Sequence, residues 1–210
     1  MSLRQDENSL EFKEASRVAT LLNRCANRYF NRLSNTQARL QALMYNAVIA
    51  DNANARGTRV FKPENAILCK NFNVSKNVSI QSLLPVPFTA KLEIGVAPQT
   101  KKAKLECLLP FVPAINSKKP AGATHLEITV SIVAIDFANS DAVPVIIEKS
   151  EQIPLNSTVA LSTIETPEIL IPTTHTAFSI VEVHFAQEVN SVLYPFESKS
   201  LNAAFISDAI

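Results

Sequence analysis

Two spacings of apolar residues divide the chain. From Phe12 the larger apolar side chains recur at three- and four-residue steps, through Ala15, Val18, Leu22, Cys25, Tyr29 and Leu33. Such steps place them on one face of a helix. Asn8 followed by Glu11 offers a start. Ser34-Asn35-Thr36-Gln37 then offers a cap of S-x-x-Q form, in which a serine oxygen and a glutamine side chain satisfy free backbone amides. Leu40, Leu43, Met44, Ala47 and Val48 make a second apolar face, which ends in the polar run DNANARG. The spacing predicts a helical hairpin over residues 9–33 and 36–51.

Beyond Pro63 the period becomes two. Leu126, Ile128, Val130 and Ile132 alternate with Glu127, Thr129 and Ser131. The alternation shifts at Val133, Ile135 and Phe137, as a bulge or a strand crossing between sheets would cause. Further strands are expected at 86–96, 103–111, 143–151, 157–164, 177–189, 192–196 and 203–208. Prolines and short Asn/Ser clusters separate them, and Asn190-Ser191 is expected to form a tight hairpin turn. About eight short strands with no helical period between them predict an antiparallel β-sandwich rather than βαβ units. The fold class is therefore α+β: a basic helical hairpin over 1–58, then an antiparallel β-sandwich over 59–210.

Charge sharpens this division. All eight arginines lie at or before Arg59, and all twelve prolines at or after Pro63. Up to Lys62 there are ten Lys and Arg against five Asp and Glu, net +5; the rest has ten against fourteen, net −4. The two regions are complementary, and the overall +1 fits poorly with a nucleic-acid module. With 47% hydrophobic and 19% charged residues, the chain falls in the globular range. The opening MSLRQDENSLEFKE lacks the basic head and apolar run of a secretory peptide, and no stretch reaches the length of a membrane span. A cytoplasmic location is the default expectation, with membership of a larger particle or surface assembly left open.

Gly57, Gly95 and Gly122 are the only glycines. Phosphate-cradling loops need clustered glycines, so that backbone amides can approach the phosphates. Dinucleotide oxidoreductases and P-loop NTPases are thereby disfavoured. The absence of a G-x-S-x-G elbow disfavours α/β-hydrolases likewise. Cys25, Cys69 and Cys107 are widely spaced, with no C-x-x-C pair, and read as packed or free thiols.

Two strand segments carry polar pairs with ligand-like spacing: His125 with Glu127, and Glu182 with His184. Residues i and i+2 share a face, so neighbouring strands could bring the four together around a metal or as an acid/base cluster. Both pairs alternate with large apolar residues, however, and the expectation is that they lie on a water-facing side. His175, in PTTHT, is assigned no role. Asp136 and Asp141 flank a turn and are expected to bond local backbone. No catalytic residue, metal or cofactor is expected.

Arg17, Arg24, Arg28 and Arg32 fall within an arc of about 80° on the first helix. That face could be solvated, or it could dock on the chain's own β region or a neighbouring copy. It could also contact phosphates, with Tyr29 and Phe30 stacking. The choice of arginine over lysine favours bidentate docking on carboxylates or carbonyls, and Arg39 joins the candidates.

RQDENSLEFKEASRVATLL, ARGTRVFKPENAILCKNFNVSKNVSIQSLL, PAGATHLEITVSIVAIDF and VEVHFAQEVNSVLYPFESKSLNAAFI resemble, in order and over nearly the whole chain, a family of uncharacterised Bacteroidetes proteins. The resemblance implies a basic helical part followed by an immunoglobulin-like β-sandwich, and it implies no catalytic residue. Many members carry a short basic segment before the RQ start, which this chain is expected to lack. The expected function is that of a non-enzymatic structural or interaction protein. It is expected to be a homo-oligomer, assembling through Arg17, Arg24, Arg28, Arg32 and Arg39 and through sandwich edges, with other protein partners open. Binding of nucleic acid or another anionic polymer by the same arginines is the alternative.

Overall fold

The computed structural model describes residues 3–112, 119–158, 160–199 and 201–210. It is α+β, with antiparallel sheets. Helices α1 (Leu3–Cys25), α2 (Asn27–Phe30) and α3 (Thr36–Ile49) come first, followed by a 3-10 helix, Pro63–Cys69. After them come β1 (Phe72–Asn73), α4 (Ile80–Leu83), β2 (Phe88–Ile94), β3 (Thr100–Phe111), β4 (His125–Ile135) and β5 (Val145–Pro154). The chain ends with β6 (Leu161–Glu165), β7 (Ile169–Leu170), β8 (Thr176–Val189), β9 (Val192–Pro195) and β10 (Asn202–Ala209). The strand expected at 157–164 is thus β6; residue 159 lies outside the described residues.

The larger sheet runs β1-β10-β8-β4-β5, with β9 paired to β8; the smaller runs β2-β3-β6, with β7 paired to β3. Side chains alternate across each strand, so the larger sheet has two faces to cover. One face carries Leu126, Ile128, Val130, Ile132, Val181, Val183 and Phe185, and shares a core with Ala103, Leu105, Phe111 and Ile164 of the smaller sheet. The opposite face carries Val133, Ile135, Phe178, Ile180, Ala204 and Ile206. These share a second core with Val18, Leu22, Tyr29, Leu40, Met44 and Val48 of the helices. The larger sheet is therefore the middle of three layers.

This arrangement explains the shifted alternation at Val133. No bulge occurs there: β4 pairs without a break from His125 to Ala134 with β5, and from His125 to Ile135 with β8. The strand end is apolar on both faces because the helices cover one and the smaller sheet covers the other. A register shift occurs instead in β10, between Ile206 and Asp208.

The helices also differ in detail from their sequence signals. α1 begins at Leu3, before Asn8, whose side-chain oxygen accepts from Arg56. The expected S-x-x-Q cap is not used: Asn35, with φ 56°, precedes α3 without a side-chain cap bond. Gln37 instead ties α3 to α1, donating to Thr20 Oγ1 (3.0 Å) and accepting from Asn23 Nδ2 (3.1 Å). Gln41 adds a bond to Ser16 Oγ at 3.0 Å. The segment after α3 returns along α1, where Gly57 N donates to Glu11 Oε1 (2.9 Å) and Phe61 N to Glu14 Oε1 (3.3 Å). Gly57 has φ +84°, and a Cβ there would stand 3.0 Å from Glu7 Cγ, which suits glycine on both counts. At the other end, Asn190 and Ser191 have φ 53° and 62°, the pair of left-handed residues that a tight primed hairpin turn requires.

Candidate functional site

Alternation along β4, β5 and β8 places Glu127 and Thr129, Glu148 and Ser150, and Glu182 and His184 on the helix-facing side of the larger sheet. Registry then aligns them: Glu127 pairs with His184 and with Gln152, and Thr129 with Glu182 and with Ser150. The two polar pairs singled out in the sequence do lie on neighbouring strands. Glu182 and His184 do not face water, however, whereas His125 and Glu127 are half-buried. Glu182 and His184 are each 4% exposed, because the end of the first helical segment lies over them with Arg28, Tyr29 and Arg32. The sequence expectation fails here because it allows the sheet only one covered face.

These residues enclose a cleft of about 300 Å³. Its helix side is cationic. Arg28 Nη2 donates to Glu148 Oε1 at 2.7 Å, and Tyr29 Oη donates to Glu148 Oε2 at 2.6 Å. Burial, reinforced by that bond, holds the Tyr29 hydroxyl protonated far above the usual range. Tyr29 is thus a buried donor rather than a stacking platform. Arg32 Nη1 stands 3.7 Å from Glu182 Oε1. The sheet side is a row of close but unbonded groups: His184 Nδ1 lies 3.8 Å from Glu182 Oε1, and His184 Nε2 lies 3.7 Å from Glu127 Oε2. Glu182 Oε1 and His184 Nδ1 are buried without a hydrogen-bond partner.

Burial dominates the electrostatics. It pushes the Glu182 carboxyl up to about 8, against the opposing pull of Arg32 and with Glu127 and Glu148 adding to the rise. Burial also lowers the His184 imidazole to about 4, and Arg32 lowers it further. At neutral pH the pair is therefore a protonated carboxyl beside a neutral imidazole, both uncharged in a low-dielectric setting. Among the described residues, no group of three or more His, Cys, Asp or Glu side chains is arranged to hold a metal ion.

The other arginines of the stripe do not enter the cleft. Arg17 Nη1 donates to Phe137 O at 2.8 Å while its fork grips Glu14, and Arg24 Nη2 donates to Ser140 O at 2.7 Å. Arg39 donates to Asn73 O (2.6 Å) and Val74 O (3.1 Å), with its guanidinium 5.2 Å from the centre of the Phe72 ring. All five therefore meet carbonyls or carboxylates of residues after position 62.

His125 lies further out, 3.8 Å from Glu188, and His175 is bonded to its neighbour Thr174. Asp136 accepts from Ala138 N at 3.0 Å, as its turn position implies; at Asp141 it is the backbone N that bonds, to Asn139 Oδ1. Cys25 and Cys69 are buried and Cys107 is half-buried. Burial pushes each thiol up, Cys69 to about 12. The residue that sequence reasoning missed is Glu148, and the available signal was its place in the alternation of VIIEKSEQ.

No known family model, curated protein or solved structure matches this chain. None of the described helices is long and apolar enough to cross a membrane.

Proposed function

We propose that this is a non-enzymatic structural or interaction protein that self-associates. In this reading residues 1–58 are a helical hairpin riveted to an immunoglobulin-like β-sandwich, the architecture implied by the Bacteroidetes resemblance. The five arginines are the rivets. Because Arg17, Arg24, Arg28 and Arg39 donate within the chain, they lend less support to contacts with a neighbouring copy or with phosphates, and assembly falls to the sheet surfaces.

One edge stands out. Long exposed strands are usually protected by charge or proline. β5 carries Lys149, Glu151 and Pro154, and β2 carries Lys91 and Glu93. β9 ends in Pro195 but carries neither charge nor cover at Val192 and Tyr194, which are 50% and 55% exposed. Val192 pairs with Val189 and Tyr194 with Gln187, so they continue the face that Val181, Val183 and Phe185 bury, past the end of its cover. This uncovered apolar continuation carries the proposal, and a second copy is its occupant.

Light scattering of the intact chain at high micromolar concentration tests it. A dimer or larger species is expected, and Val192→Lys with Tyr194→Glu is expected to return it to monomer with the fold intact by circular dichroism. A wild-type monomer across that range would remove the proposal.

A further inference from the structure

The row of near-contacts across the cleft is too loose for a finished ion-pair network. From Arg32 to Glu182, from Glu182 to His184 and from His184 to Glu127, the gaps are 3.7, 3.8 and 3.7 Å. Each exceeds a hydrogen-bond length by roughly 0.7 Å. Arg28 beside them closes its own gap at 2.7 Å. Burying an acceptor or donor without a partner costs about 1–3 kcal/mol, and here two such atoms, Glu182 Oε1 and His184 Nδ1, sit side by side. Both side chains are more than nine-tenths buried and both line the open cleft. Polar groups left waiting around an open space of about 300 Å³, at the lower end of small-molecule sites, call for a small polar occupant.

The chemistry of the two walls selects it. The helix wall offers Arg32, a donor that suits a planar anion. The sheet wall offers the Glu127 carboxylate, with His184 Nε2 standing 3.7 Å behind it. Between them stands Glu182, protonated at neutral pH and hence a hydroxyl donor. A singly charged guest would satisfy one wall and leave the other facing it unpaired. A divalent cation finds no suitable ligand group among the described residues and would sit near Arg32.

We infer that this cleft binds a small zwitterion of the amino-carboxylate class. Its carboxylate accepts from Arg32 and from the Glu182 hydroxyl, and its ammonium donates to Glu127. Binding spans the gap between Arg32 and Glu182, pairs Glu127 and requires no covalent step. The inference is independent of self-association, since the cleft lies under the helices and the β9 surface does not contribute to it.

The test is calorimetric titration of the intact chain with glycine, β-alanine and γ-aminobutyrate, a series of increasing charge separation. Propionate and butylamine serve as single-charge controls. At least one zwitterion is expected to bind with Kd below about 1 mM, with both controls at least about tenfold weaker. Arg32→Gln and Glu127→Gln are each expected to weaken it by about tenfold or more, whereas Lys149→Gln, on the opposite face of β5, leaves it unchanged. If either cleft variant unfolds, the wild-type His184 ring resonances carry the test. They are expected to move with the bound zwitterion and to stay in place with propionate or butylamine. No heat and no His184 shift with any of the three at about 10 mM overturns the inference, leaving a water-filled structural gap. So does equal binding of a single-charge control, or wild-type affinity in folded cleft variants.

Discussion

A chain lacking residues 1–58 is expected to emerge insoluble, or as a loosely packed β species that binds hydrophobic dye, rather than as a folded β domain. The helices cover Val133, Ile135, Phe178, Ile180 and Ile206, all fully buried. Each large apolar side chain contributes about 1.5–3 kcal/mol on burial, so uncovering five forfeits on the order of 10 kcal/mol, as much as the whole net stability of a typical domain. The newly exposed face would also be a broad apolar surface, the kind that drives aggregation. Soluble yield, near-ultraviolet circular dichroism and dye fluorescence of the truncated chain check this. A soluble, cooperatively melting truncation would show that the helices are ornamental.

Stability of the intact chain is expected to be flat between about pH 4.5 and 6.5 and to fall by about 2 kcal/mol between pH 6.5 and 8, as far as Glu182 and His184 control it. The sign follows from the two shifts. Glu182 is held near 8 in the folded chain, above its ordinary value of 4.5, so between those limits the folded state holds a proton that the unfolded state has lost. Its contribution is fully present below 4.5 and is lost as pH rises through 8. His184 is depressed from 6.5 to about 4, so its contribution grows from pH 4 to 6.5 and offsets the loss from Glu182 over that window. Above 6.5 only Glu182 titrates. Glu182→Gln keeps a neutral polar group in place and is expected to abolish the fall, leaving the variant more stable than wild type at pH 8 and above. Urea unfolding at pH 5.5, 7 and 8.5 measures the effect; a wild-type curve with no decline above 6.5 would show that Glu182 is not held as a buried neutral acid.

Much of the architecture is legible in the sequence because each element carries its own period. The second long helix, the longer strands and the Asn190-Ser191 turn follow from spacing and turn chemistry within a few residues, whereas the first helix starts six residues before its expected position and ends at Cys25, and the two-residue strands β1 and β7 carry no period to read. What spacing cannot express is a face covered from afar. Val133 and Ile135 look like a register break because a half-buried strand shows one apolar face, and here helices some hundred positions earlier cover the second. The same blindness makes Glu182 and His184 look solvated: alternation identifies the face they occupy, and only tertiary contact decides whether water reaches it. Gln37 illustrates a local signal outcompeted, since its side chain has better partners on α1 than at its own helix start. The arginine stripe was readable as a docking face, yet Arg17 and Arg24 reach the sheet region through the backbone carbonyls of Phe137 and Ser140, which carry no sequence signature.

The arginine-bearing helices lie on the sheet of their own chain, over a buried acid–imidazole pair. Thiol cross-linking across the Arg28–Glu148 contact tests it most directly, using Arg28→Cys with Glu148→Cys and the three native cysteines replaced by alanine or serine. The two side chains now bond at 2.7 Å, so a short bismaleimide is expected to give an internally linked monomer at high yield, independent of protein concentration. Linkage only between chains, rising with concentration, or no linkage in a folded chain would contradict it.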